Sequence, residues 1–297
     1  MPKFVFWGTD EFAVTVLETL KNKGLRLQLI ITAPDKPKGR KLIVTPPPAK
    51  LWAKENNISL LQPEKLDFEF CRRLSVVGCE LFLVASYGRI LPKKIINLPP
   101  HKTLNIHPSL LPRLRGPSPI QQTILREEKP GVTIIKMDEK MDHGPILAQK
   151  EIERANWPVA SPKLSEALAK AGAELFAEIL PKWLAGEIKE KPQDESLATY
   201  TKLIKKEDGL IDLKDDPRLN YRKFLAYHPW PGIYFFVQKK SVQPSETTKK
   251  IRVIVKEAKL ENLPAQVGGK FKILRVLPEG KKEISFDEFL KNYRQNL

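Results

Sequence analysis

Asn105, His107 and Asp142 bring an amide, an imidazole and a carboxylate into fewer than forty residues of this 297-residue chain. Asn105 and His107 sit two apart in T-L-N-I-H, an extended run whose period of two turns both side chains to one face. Pro108 and Pro112 close that run, because proline brings no ladder donor. A second apolar run, G-V-T-I-I-K-M, leads through a polar turn to Asp142. An amide that donates to a developing oxyanion, an imidazole that carries a proton and a carboxylate that orients it are the parts of acid–base and electrostatic catalysis on a carbonyl.

Other chemistries lack their parts. Gly8-Thr9-Asp10 follows the first apolar run, but no G-x-G-x-x-G occurs, so a nicotinamide cofactor is not expected and Asp10 or Thr9 reads as a helix N-cap. No G-x-S-x-G supplies a hydrolase nucleophile. His101, His143 and His228 have no metal-ligand spacing, so no metal is expected. Cys71 and Cys79 resemble neither a zinc half-site nor a redox pair and read as thiols in a reducing cytosol.

The elements that must position these residues alternate. Extended runs at Lys3–Trp7, Leu25–Ala33, Glu80–Ser86, Thr103–His107, Val132–Met137 and Pro145–Glu151 are interleaved with helical patterns at Glu11–Lys21, Phe68–Val77, Ser118–Glu127 and Ser161–Ala185. Gly186 is placed to stop the last helix. This pattern predicts an α/β domain over residues 1–186, a mainly parallel sheet with helices on both faces and ligands at the carboxyl ends of its strands, where Gly8, Tyr87, His107 and Asp142 are expected. Residues 187–204 read as a polar, proline-containing linker. Beyond them a helical piece, Pro217–Ala226, precedes short strands at Gly232–Gln238, Ile251–Ala258 and Phe271–Val276, with a last strand or turn near Lys282–Ser285. Strands so punctuated predict a small OB-like β-barrel over 205–297.

Charge adds a partner to the chemistry. The chain carries a formal net charge of +16, and residues 205–297 hold 20 Lys/Arg against 12 Asp/Glu, half the excess in under a third of the length. A heat-adapted surface would explain high lysine and the 26 prolines. Heat adaptation raises both signs together, however, so an excess of one sign points to a polyanion such as RNA. The segment P-D-K-P-K-G-R-K-L-I-V-T-P-P-P-A-K sets Lys36, Lys38, Arg40, Lys41 and Lys50 among prolines, with Gly39 allowing close approach. It reads as a long basic loop suited to a phosphate backbone. No run reaches the length of a membrane span, and the N-terminus enters a strand directly, so a cytoplasmic protein without membrane attachment is expected.

N-I-H-P-S-L-L-P-R-L-R-G-P-S-P-I-Q and M-D-E-K-M-D-H-G-P-I-L resemble the signature of the folate-dependent formyltransferases. F-W-G-T-D-E-F-A, V-A-S-Y-G-R-I-L-P, T-Y-T-K-L-I-K-K-E-D-G-L-I-D and P-W-P-G-I-Y extend the likeness over nearly the whole chain, toward members that act on charged initiator tRNA. The resemblance implies a Rossmann-like catalytic domain that transfers the formyl group of 10-formyltetrahydrofolate to the amine of tRNA-borne methionine. A monomer is expected. By the same likeness Asn105, His107 and Asp142 are catalytic. Ser109, Leu110, Leu111 and Pro112, with Tyr87, Gly88, Ile90 and Leu91, contact the folate, and Lys36, Lys38, Arg40 and Lys41 meet the tRNA acceptor arm.

Asp10 stands where the family commonly has proline, Leu114 where tryptophan is frequent, and His143 where a threonine follows the aspartate. None of these removes a catalytic group. Two other readings remain open at this point: a formyltransferase for a sugar nucleotide or purine precursor, and a non-catalytic RNA-binding protein.

Overall fold

The computed structural model describes residues 3–39, 41–153, 157–239, 249–261 and 269–293. The first part of the chain runs β1 (Phe4–Trp7), α1 (Glu11–Asn22), β2 (Leu27–Ile31), β3 (Lys36–Lys38), β4 (Ile43–Thr45), α2 (Pro48–Glu55), β5 (Leu60–Leu61), α3 (Phe68–Ser75), β6 (Leu81–Val84) and α4 (Lys93–Ile96). It continues with β7 (Thr103–His107), α5 (Pro119–Arg126), β8 (Gly131–Lys136), β9 (Ile146–Glu151) and α6 (Ser161–Leu184). By Cα proximity the chain divides into two units. Residues 1–119, 129–155 and 164–202 make the first; 120–128, 156–163 and 203–297 make the second.

The first unit is built on a seven-stranded sheet in the order β5-β2-β1-β6-β7-β8-β9. Its inner pairings are parallel, and β7–β8 and β8–β9 are antiparallel. Every residue of β1 (F-V-F-W) is buried, as a parallel strand covered on both sides requires. Alternation sends Phe4 to Phe176 of α6, ring centroids 6.1 Å apart, and Trp7 edge-on to Phe70 of α3 at 6.2 Å. Helices therefore cover both faces, as the alternating pattern predicts. Asp10 caps α1 by accepting from the Ala13 N–H, and Phe12, Val16 and Leu20 form its buried stripe.

Helix α6 approaches the sheet closely at Gly172, where a Cβ would lie 2.4 Å from Cγ2 of Ile106 in β7. Gly172→Ala is thus expected to destabilise the protein by ~1–3 kcal/mol, the usual cost of overpacking a core, and to lower Tm in thermal denaturation. The neighbour of Ile106 on each side is a site residue, so the same change should also disturb β7.

Two elements depart from the sequence reading. The basic segment is no plain loop: Lys36–Lys38 and Ile43–Thr45 pair as an antiparallel hairpin, and α2 follows at once with proline in its first turn. Three-residue strands interrupted by Pro37 carry no readable period, and Pro46, Pro47 and Pro48 disguise a helix start that proline favours. The short β5 and α4 were equally silent. Second, β8 is antiparallel: His107 pairs with Thr133 and Leu104 with Lys136, so the carboxyl end of β8 lies beside the start of β7. Asp142 does not project from a neighbouring carboxyl end as expected; the β8–β9 connection carries it back to His107.

In the second unit α7 (Pro217–Ala226) precedes β10 (Ile233–Lys239), β11 (Lys249–Glu261), β12 (Lys270–Pro278), β13 (Ile284–Ser285) and α8 (Phe286–Tyr293). The strands form an antiparallel sheet in sequence order, and Leu210 bridges to Tyr234 of β10. This is a small C-terminal β unit of the kind the punctuated strands predict. Along β10, Ile233, Phe235 and Val237 are buried while Phe236 is exposed. Phe235 meets Phe289 of α8 edge-on at 6.1 Å, a helix the sequence reading did not include.

Candidate active site

Strand β7 delivers Asn105 and His107 into the interior, at 8% and 4% exposure. The imidazole is held on both sides. Its Nε2 lies 3.1 Å from the Leu114 carbonyl, which only accepts, so Nε2 carries the hydrogen there. Its Nδ1 faces Oδ1 of Asp142 at 3.5 Å. The other carboxylate oxygen, Oδ2, accepts from the Gly116 N–H at 2.8 Å. The Asn105 amide has no hydrogen-bond partner among the described residues and keeps some access to solvent. An imidazole whose Nδ1 faces a carboxylate oxygen at 3.5 Å, too long for a firm hydrogen bond, and an unpartnered amide make a site equipped to accept a charged oxygen and pass a proton.

Asp142 is held in a sparsely populated conformation, φ 51°. Two residues on, Gly144 packs so closely that a Cβ there would fall 1.8 Å from the Lys136 carbonyl oxygen. The turn after β7 is stitched down as well. The Ser109 hydroxyl donates to the Arg113 carbonyl at 2.7 Å, and the Thr133 hydroxyl donates to the Ser109 carbonyl at 2.6 Å. Thr133 also accepts from the Leu111 N–H and from Gln149, which itself donates to the Leu111 carbonyl. Leu111 packs with Ile135 and Ile146; Leu110 and Pro112 are half-buried.

The stretch after β6 divides by exposure. Tyr87 and Leu91 are buried in the cluster around Trp7, the tyrosine ring 5.2 Å from the indole, and burial pushes the Tyr87 hydroxyl pKa up. Gly88 and Ile90 are exposed between them. The Thr9 hydroxyl donates to the Tyr87 carbonyl at 3.0 Å, tying this stretch to the end of β1.

In the hairpin Lys36 and Lys41 are exposed, as are Leu42, Ile43 and Val44. Lys38 lies on β3, and Arg40 lies outside the described residues. Lys50, grouped with the basic loop by sequence, belongs to α2 and pairs with both Asp35 oxygens at 2.8 Å. Gln62 donates to Asp35 at 2.7 Å; that bond and Lys50 hold the Asp35 carboxyl below the usual carboxylate range. Lys50 therefore fastens the base of the hairpin.

Sequence reasoning missed the residues behind the site. Arg115 is 1% exposed and forks to both oxygens of Glu195, at 3.0 and 2.7 Å, holding that carboxyl below its usual range. It also donates to Gln193 and to the Tyr200 hydroxyl. The expected linker thus packs with the first unit as far as Lys202. Its polar composition reflects partners for a buried guanidinium, and the only sequence signal was an arginine between Leu114 and Gly116 in the turn after β7. His143 faces Asp138 at 2.6 Å and Glu195 at 3.5 Å. Among the described residues no helix is long and apolar enough to cross a membrane.

Residues 2–181 match the family model described as formyl transferase, and residues 203–294 match formyl transferase, C-terminal domain. The methionyl-tRNA formyltransferase of Chloroflexus aurantiacus is 41% identical over 270 residues, 90% of this chain and 85% of the relative. That of Thermodesulfovibrio yellowstonii is 38% identical over 298 residues, covering 98% and 96%. Among solved structures, HypX from Aquifex aeolicus in complex with tetrahydrofolic acid superposes with a TM-score of 0.63 at 16% identity, over 97% of this chain and 47% of HypX, a likeness of fold.

Proposed function

The chain belongs to the formyl transferase family, and from that membership we propose how its own residues carry out the transfer. The enzyme is a formyltransferase that acts on methionine carried by tRNA, giving the formylated aminoacyl-tRNA used to initiate translation. The observation that carries the acceptor is the near-full-length match to a methionyl-tRNA formyltransferase, which takes in the second unit as well as the first. The formyl donor is 10-formyltetrahydrofolate, bound as a co-substrate.

In this proposal the methionine amine attacks the formyl carbon, the carbonyl oxygen takes the charge, and collapse breaks the bond to the folate nitrogen. Asn105 donates its amide N–H to the oxyanion, the role its missing partner suits. His107 has Nε2 committed to Leu114, so Nδ1, which faces Asp142, is the nitrogen that acts on the developing charge. Asp142 keeps Oδ2 on Gly116 and uses Oδ1 to take the amine's proton and return it, through water, to the leaving folate nitrogen. Ser109–Pro112 and Tyr87–Leu91 hold the folate, the buried Tyr87 and Leu91 fixing the backbone that Gly88 and Ile90 present. Lys36, Lys38, Arg40 and Lys41 meet the acceptor arm of the tRNA.

The test is to incubate the protein with 10-formyltetrahydrofolate and charged initiator tRNA and look for formylmethionine after deacylation. Formylation of an amino sugar nucleotide with none of the tRNA would overturn the acceptor assignment. Within the hairpin, Arg40→Lys keeps the charge but loses the planar guanidinium that forks to phosphates or stacks on an unpaired base, so kcat/KM for charged tRNA should fall ~10-fold or more. Lys41→Ala, the loss of one exposed point charge, should cost only ~2- to 3-fold and flatten the salt dependence. Lys50 is no fit comparator, because its loss would free Asp35 and loosen the hairpin base. Equal, small losses for both variants would leave the hairpin a nonspecific basic surface.

A further inference from the structure

We infer that Gln193, clamped by the buried Arg115, is the positioning residue that holds Asp142 in its strained conformation, and that the strap 191–201 completes the active site. The inference rests on the catalytic role proposed for Asp142 and extends it to residues that touch no reacting atom.

The hydrogen bonds fix the direction of the clamp. Gln193 Oε1 lies 3.0 Å from Arg115 Nε and 2.8 Å from Nη2, both obligate donors, so that atom of the amide is the oxygen. Nε2 must then be the amide nitrogen, and its two hydrogens go to the Asp142 carbonyl at 2.8 Å and the Gly144 carbonyl at 2.7 Å. One side chain therefore ties down both ends of Asp142-His143-Gly144, where Asp142 holds φ 51° and Gly144 has no room for a Cβ. Positive φ at a residue other than glycine persists only where surrounding contacts over-determine it. Gln193 supplies those contacts.

Arg115 supports the clamp from the same end. Its N–H donates to the Thr199 carbonyl at 2.9 Å, its carbonyl accepts from the Thr201 N–H at 2.7 Å, and its guanidinium engages Glu195 and Tyr200. Next to it, the Gly116 N–H holds Oδ2 of Asp142. Backbone at 115–116 thus fixes the carboxylate while the Arg115 side chain, through Gln193, fixes the Asp142 backbone. The strap is further sewn in by Lys191, which exchanges backbone hydrogen bonds with Ile146, and by the Thr199 hydroxyl, which accepts from the Leu114 N–H. Leu114 is the residue whose carbonyl orients His107. Both members of the His107–Asp142 pair are aimed by one packed segment.

The clamp is separable from binding, because Gln193 donates to backbone carbonyls and to no substrate-facing group. Two full-length variants test it. Gln193→Leu removes the amide; Gln193→Glu keeps an oxygen for Arg115 but turns a second oxygen onto the Asp142 and Gly144 carbonyls. Each should lower kcat for formyl transfer ~10- to 100-fold, the cost of misplacing a catalytic group by about an ångström. KM for 10-formyltetrahydrofolate and for charged tRNA should stay within ~2-fold in both. Gln193→Glu, which keeps its pairing with Arg115, guards against a folding defect in the leucine variant, and thermal denaturation is followed alongside. A kcat within ~3-fold of wild type in Gln193→Glu, or a loss appearing in KM with kcat unchanged, would overturn the inference. Wild-type protein run in parallel separates the two readings: no formylation by wild type would sink the proposed function itself.

Discussion

Asp142→Asn should lower formyl transfer by at least ~100-fold, the usual scale for removing a positioned acid–base group, while leaving the fold and tRNA affinity nearly intact. The structure makes this substitution cleaner than alanine. Asparagine is among the few residues that tolerate φ near +51°, so the strained backbone is kept. Its side-chain oxygen can still accept from Gly116, leaving that N–H satisfied. What is lost is the charge facing Nδ1 of His107 and the oxygen that takes the amine's proton. Asn105→Ala should show a comparable loss, since removing a single oxyanion donor costs ~100- to 1,000-fold. Its cost in stability should be smaller than that of His107→Ala, because the amide it deletes has no protein partner. His107→Ala should match them in turnover but also cost stability, because it empties a buried space and leaves the Leu114 carbonyl without its donor. Steady-state kinetics with thermal melts separate the three. Near-normal turnover in any one of them would remove that residue from the proposed mechanism.

The legible part of this site was the part written in local pattern. The two-residue spacing of Asn105 and His107 could only mean one face of a strand, and both are buried on β7. Alternating strands and helices gave the mainly parallel sheet because parallel connections demand crossovers. What stayed hidden depended on long-range partners. Arg115 reads as one more base in a basic chain until Glu195, Gln193 and Tyr200, about eighty positions away, enclose its guanidinium. The same composition that suggested a linker at 187–204 is what a strap needs when its polar side chains face a buried cation. The direction of β8 was likewise unreadable, because an apolar run of six residues fits either direction and only its pairing decides. The basic hairpin failed for the opposite reason, its strands being too short and too interrupted by proline to show any period.

Replacing Lys250, Arg252 and Lys256 together by alanine should weaken charged-tRNA binding ~10- to 100-fold at low salt and reduce the slope of log K against log salt by about two to three, while formylfolate binding is unchanged. Ile251, Val253 and Val255 of β11 point into the second unit's core, so the period of two places Lys250 and Arg252 on the opposite face, and the exposed Lys256 follows at the register shift after Val255. Tyr234 and the exposed Phe236 of β10 share that face, and the Arg252 guanidinium lies 5.4 Å from the Tyr234 ring. Cations interleaved with aromatic rings are what a nucleic-acid backbone and its bases bind best. Substitution on the full chain is also a better test than truncation. A cut near Thr199, where composition suggests a boundary, would strip Tyr200 and Thr201 from Arg115 and Ser118 and so damage the first unit itself. Lys250 and Lys256 are exposed and Arg252 is half-buried beside the Tyr234 ring, so tRNA affinity measured across a salt series, with thermal melts alongside, reads charge. An unchanged slope would mean that the excess positive charge of residues 205–297 does not meet the tRNA, and the basic surface would need another explanation.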